Sequence, residues 1–139
     1  MKNRYMHGIT SALERANKSF WYALVFPLVF PKRTDIPPLR DIQRLLIIRS
    51  DAIGDMILTT PVFRALKAHN PALRLWVAAS ERNAGVIAAD PDVEQVVVLT
   101  KDGKIEWNAV RMLRSFQPQV ILNCVTTRTT KYGILAKLI

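Results

Sequence analysis

The sequence predicts an α/β protein with a Rossmann-like parallel sheet covered by helices. Three observations lead there. Short continuous runs of mostly branched apolar residues recur at 45–48, 96–98 and 120–122, the pattern of strands covered on both faces. Stretches with helical apolar spacing lie between them. The connections are short and polar, and strands that alternate with helices pair in parallel because the helices supply the crossovers. At 139 residues the chain can hold one modest domain with its own core. Half of its residues are hydrophobic, which excludes disorder throughout.

Residues 1–40 read as a basic and apolar N-terminal segment with a proline linker. Lys2, Arg4, Arg15 and Lys18 precede the aromatic-apolar run from Phe20 to Phe30, and Lys32 and Arg33 follow it. The run contains Pro27 and is shorter than the about 20 apolar residues that a membrane span needs. No small-residue cleavage site follows it, so it is a poor secretory signal. Trp21 and Tyr22 between cations suit the interface of an anionic membrane. The other reading is an N-terminal helix packed on the domain and ended by Pro27. From Thr34 to Arg40 the paired prolines Pro37 and Pro38 hold an extended linker.

Residues 41–139 read as the Rossmann-like domain. Leu45 to Ile48 is its first strand and Arg49 to Asp55 a polar turn. From Met56 onward Ile57, Val62, Ala65 and Leu66 follow a helical stripe. His69-Asn70-Pro71 stops that helix. Leu73 to Ala79 is the second strand. Ser80 is a candidate N-cap with Asn83 at the third helical position, ahead of a short helix from Ala84 to Ala89. Asp90-Pro91-Asp92 turns the chain into a third strand, Val93 to Leu99. Ile105, Ala109, Met112, Leu113 and Phe116 have helical spacing, and Pro118 ends that helix. Trp76 and Trp107 are read as packing residues. Val120 to Cys124 is the fourth strand, Thr126 to Thr130 a polar loop, and Gly133 to Ile139 the start of a further helix. That last pattern has no C-terminal cap, so a longer protein is expected to continue beyond it.

Composition narrows the chemistry. The net charge of +9 is uneven. Residues 1–49 hold nine Lys/Arg and three Asp/Glu, a balance of +6; residues 50–139 hold eleven and eight, a balance of +3. No recognised nucleic-acid motif accompanies the excess, so nucleic acid is not an expected partner. The single cysteine, Cys124, excludes an internal disulfide and reads as a buried inert thiol. Gly54 is the only glycine in the first turn, so neither a dinucleotide fingerprint nor a triphosphate loop is present there. No metal-ligand spacing occurs, and no cofactor is expected. His7 and His69 stand without ligand partners in sequence.

The stretch from Leu45 to Pro61, LLIIRSDAIGDMILTTP, resembles the opening strand, loop and helix of the heptosyltransferase-like glycosyltransferases of family 9. Arg64-Ala65-Leu66, Glu81-Arg82-Asn83-Ala84-Gly85 and Asp90-Pro91-Asp92-Val93 continue the likeness, which covers about residues 44–139. The resemblance implies the N-terminal, acceptor-binding half of a two-domain GT-B enzyme of lipopolysaccharide core assembly. Its donor, an ADP-heptose-like nucleotide sugar, would be bound by a C-terminal domain that is missing here. It also implies no obligatory metal, and Asp55 as the general base for the acceptor hydroxyl.

An acceptor oxygen becomes nucleophilic as the donor's leaving group departs, and a carboxylate beside it can take the proton. Asp55 can equally serve the free N–H groups and dipole of a helix start. Gly54 would let the backbone approach a sugar. Asp51 reads mainly as a loop hydrogen-bonder. Ser50, Thr59 and Thr60 could touch acceptor hydroxyls or act as caps. Arg82, Arg128 and Lys131 could bind anionic groups of the glycolipid or be solvated loop cations. The expected place of work is the cytoplasmic face of the plasma membrane, held peripherally by residues 1–40. A non-catalytic, membrane-surface-associated truncated protein is the alternative reading.

Overall fold

The computed structural model describes residues 36–100, 106–125 and 130–139, with the side chains of Thr130 and Lys131 left out. A 3-10 turn at Leu39–Asp41 leads into β1 (Arg44–Arg49), α1 (Ile53–His69), β2 (Arg74–Ser80), α2 (Ala84–Ile87), β3 (Gln95–Leu99), α3 (Trp107–Phe116), β4 (Val120–Asn123) and α4 (Thr130–Leu138). The four strands are parallel and lie in the order β3-β2-β1-β4. In register, Ile47 of β1 faces Val77 of β2 on one side and Leu122 of β4 on the other. The expected parallel α/β sheet is therefore present. The segments read as membrane-facing and as N-terminal helix, residues 1–35, lie outside the described residues. Among those described, no helix is long and apolar enough to cross a membrane.

Strand β1 is the centre of the packing. Leu45, Leu46, Ile47 and Ile48 are all essentially without solvent contact. Because side chains alternate along a strand, Leu45 and Ile47 join Met56 and Phe63 of α1 and Ile87 of α2 on one face. Leu46 and Ile48 join Ala109, Val110 and Leu113 of α3 and Leu135 of α4 on the other. A strand flanked on both sides and covered on both faces has no polar surface to offer, which is why its interior carries no polar residue until Arg49.

Helix α1 begins at Ile53, one turn earlier than its apolar stripe suggested, with Asp55 in the first turn. Pro61 sits inside it and has no N–H to give the carbonyl of Ile57. The hydroxyl of Thr60 donates to that carbonyl at 2.9 Å instead, and Thr59 Oγ1 donates to the carbonyl of Asp55 at 2.6 Å. The helix buries Met56, Thr59 and Phe63, while Ile53, Ile57, Leu58 and Val62 on its outer side are exposed. At its end Asn70 caps more than the helix: its Nδ2 donates to the carbonyls of Leu39 and Ile42 at 3.1 and 2.8 Å. Leu39 and Arg40, read from sequence as the end of the linker, thus lie in a 3-10 turn tied to α1, with Leu39 packed on the core.

At the edge of the sheet where β1 and β2 begin, Arg74 forms a bidentate pair with Glu94, with contacts of 2.6 and 2.9 Å. Its guanidinium also lies over the Phe116 ring, 5.6 Å from the centroid. Trp76 stacks on the same ring at 4.3 Å, as its packing role predicted. Trp107 does not pack: it opens α3 and is 68% exposed.

Replacing Phe63 with Ala removes a ring that is wholly buried against β1. The expected loss is about 3–5 kcal/mol of unfolding free energy, read as a lower urea midpoint at unchanged slope. The hydrogen bond from Arg74 holds the Glu94 carboxyl below its ordinary range, with partial burial opposing it. A depressed folded-state value means that the pair stabilises the fold at neutral pH and stops doing so as pH falls through that value. Glu94→Gln should therefore lower the melting temperature at pH 7 by a small amount, as for any exposed pair. The difference from wild type should close in acid, measured by thermal denaturation from pH 7 down to pH 2.5.

Candidate active site

The sheet order creates the site. The chain runs outward from β1 to β2 to β3, then returns to place β4 on the other side of β1. The strand order therefore reverses at β1, and the carboxyl ends of the strands at such a reversal are the usual ligand position in open α/β sheets. Arg49, the last residue of β1, lies at that edge and is 8% exposed.

Three groups converge on its guanidinium. Nε lies 3.2 Å from Asp51 Oδ1, and Nη2 lies 3.3 Å from Asp55 Oδ1. Nη1 donates to the carbonyl of Cys124, just past the end of β4. The planar fork of an arginine suits this work, because its donors point in fixed divergent directions. The two acids differ in access. The Asp51 side chain is 12% exposed and the Asp55 side chain 38%. Asp51 thus lies on the covered side of the cluster, and the Asp55 carboxylate is the more accessible of the two. Removing the arginine would break its largely covered ion pair with Asp51, a change that usually costs about 3–5 kcal/mol.

Asn83 supports the same corner and is completely buried. Its Nδ2 donates to the carbonyl of Arg49 at 3.1 Å. Its Oδ1 accepts from the backbone N–H of Ser80 at 2.8 Å and from the Ser80 hydroxyl at 3.0 Å. Ser80, expected as the N-cap of α2, is not one: the helix begins at Ala84 with Asn83 in the cap position and no side-chain cap hydrogen bond, because the asparagine side chain turns back to the serine instead. The side chain thereby joins the ends of β1 and β2.

The remaining expected residues divide as follows. Gly54 lies in the first turn of α1 beside Asp55, and a Cβ there would meet no atom within 4 Å. Packing does not require that glycine, although it weakens the helix by about 1 kcal/mol relative to alanine. Ser50 Oγ is buried and finds no hydrogen-bond partner among the described residues. Thr59 does not offer a free hydroxyl: it is 9% exposed and bonded within its own helix. Thr60 likewise serves the carbonyl left by Pro61. Arg82 is exposed in the turn after β2. Arg128 lies outside the described residues, and only the backbone of Lys131, in the first turn of α4, is described.

Burial pushes the Cys124 thiol above its ordinary range, with Arg49 opposing, so it is a protonated packing group at neutral pH. Among the described residues no group of three His, Cys, Asp or Glu is placed to hold a metal ion. The arrangement offers one accessible carboxylate in a fixed position, next to a stretch of bare helix backbone. Chemically it can accept a proton or a hydroxyl hydrogen bond, or stabilise developing positive charge.

Two comparisons bear on the chain. A Haemophilus influenzae protein described as "Putative glycosyltransferase" is 32% identical to it over 59 residues, which is 42% of this chain and 17% of that protein. The crystal structure of the glycosyl transferase family 9 protein from Veillonella parvula superposes with a TM-score of 0.60 at 20% identity, over 73% of this chain and 30% of the other. No family model matches the sequence. The chain thus spans less than a third of each of these two proteins. Its fold is the α/β Rossmann-like fold found in that family 9 glycosyltransferase structure, and its sequence is similar to a protein described as a glycosyltransferase.

Proposed function

We propose that this chain is the acceptor-binding half of a glycosyltransferase of the family 9 type. It would transfer heptose or a related sugar from a nucleotide sugar to a glycolipid of the lipopolysaccharide-core type. The observation that carries the reading is Asp55: a carboxylate 38% exposed, in the first turn of α1 after the carboxyl end of β1, paired through one oxygen with Arg49. The likeness to the Haemophilus protein and the shared fold with the Veillonella structure support it.

In this reading the acceptor hydroxyl approaches beside Gly54. Its oxygen bonds to the anomeric carbon of the donor as the bond from that carbon to the diphosphate oxygen breaks, and its proton passes to Asp55. The nucleoside diphosphate leaves with the bonding electrons. Asp55 acts as general base, a role usually worth about 10²–10⁴ in rate. Arg82, with Arg128 and Lys131, would meet anionic groups of the acceptor. Donor binding is assigned to a second domain outside this chain, so that the chain alone transfers no sugar. The basic, aromatic residues 1–40 would hold the protein peripherally on the inner, cytoplasmic face of an anionic membrane, where a glycolipid acceptor is presented.

The test is complementation. The chain is mixed with a separately produced donor domain of a family 9 glycosyltransferase, ADP-heptose and a core-type glycolipid, and product is followed by mass spectrometry. Transfer is expected with both halves present, falling roughly a hundredfold or more with Asp55→Asn at unchanged circular dichroism. Full-rate transfer by the Asp55→Asn chain would remove the assigned base. Absence of transfer with a donor domain that complements another family 9 acceptor domain would remove the function.

A further inference from the structure

We propose that Arg49 is a positioning residue for Asp55. The inference rests on the proposed role of Asp55 as base and says how the chain holds that carboxylate ready. Asp55 sits on α1, whose first turn can fray, and no side chain caps that helix at Ala52. Its carboxylate is partly exposed and would otherwise sample several rotamers. Arg49 cannot follow such motion, because it is immobilised from three directions. Its backbone lies in the central strand, with its carbonyl bonded by Asn83. Its Nη1 is bonded to the Cys124 carbonyl, and its Nε is paired with the buried Asp51. The remaining amino group, Nη2, is the one directed to Asp55 Oδ1 at 3.3 Å. A rigid fork therefore fixes an otherwise mobile side chain through one oxygen.

A lysine cannot reproduce this. It carries the charge but is a single flexible ammonium without divergent planar donors. Asp51 and the Cys124 carbonyl would compete for it, and Asp55 would be released. The function of Arg49 in catalysis is thus geometric, and misplacing a reacting group by about 1 Å can cost a hundredfold in rate.

Two readouts on the full chain separate this claim from the function it rests on. The first is the Asp55 side-chain rotamer, from three-bond couplings to its Hβ protons by NMR. Wild type should show couplings of one rotamer. Arg49→Lys, with the remaining amide spectrum preserved, should show averaged couplings. Arg49→Met is the second variant, and its averaging should be at least as large where it folds. A single unchanged rotamer in Arg49→Lys overturns the proposal.

The second readout is turnover in the complemented transfer assay. Arg49→Lys should lower kcat about tenfold to a hundredfold at little changed acceptor KM. In an Asp55→Asn background the same substitution should cause almost no further loss, since the arginine acts through the carboxylate. Equal losses in both backgrounds would mean that Arg49 serves only the fold, and would also overturn it. If Asp55→Asn retains full turnover, the assigned base falls while the transfer function stands, and the rotamer measurement alone decides whether Arg49 positions that side chain.

Discussion

A guanidinium with three obligations organises this domain. Arg49 ends the most deeply buried strand, and its charge cannot be left without partners there. The fold answers with Asp51 from the following loop, Asp55 from the helix and the carbonyl of Cys124 from β4. Each partner comes from a different segment, so the arginine ties the turn after β1, the start of α1 and the end of β4 to one point. Asn83 adds the end of β2 through the carbonyl of the same residue. The carboxyl ends of β1, β2 and β4 are therefore tied together by polar groups that meet at Arg49.

That economy explains which side chains remain for a ligand. Buried polar groups are bonded in native structures, and here most of the hydroxyls near the edge are already engaged. Thr59 and Thr60 maintain α1, the second by compensating the donor that Pro61 lacks. Asp51 is enclosed with the arginine. What projects outward is the Asp55 carboxylate, with open helix backbone at Gly54 beside it. An accessible carboxylate of this kind can accept a proton or a hydrogen bond from an alcohol.

Much of the architecture was legible in the residue order. The apolar runs at β1, β3 and β4 and the alternation with helices follow from burial on both faces of a parallel sheet, and the structure has both. Asn70-Pro71 marked the end of α1 correctly because proline cannot continue a helix. Other features were not legible. Thr60 read as an acceptor contact or a cap, because a sequence does not show which carbonyl a proline deprives. Trp107 read as packed because helical spacing does not reveal where a helix begins. Arg49 was quoted in the motif and assigned to the turn, yet it is the residue on which the site depends. A charged residue at a strand end is ordinarily solvated, and only the neighbouring strand shows that this one is covered.

The sequence by itself determined the class of fold, the strand–turn–helix unit and the acidic turn at its centre, because periodicity and turn chemistry are local properties of the chain. Tertiary structure alone decided that β4 lies beside β1. That single choice of neighbour brings the Cys124 carbonyl to Arg49 across some 75 residues of sequence, beside the arginine's two aspartates, one enclosed and one accessible. Strand order is set by how helices of given length pack across the sheet, and that is information no local pattern contains.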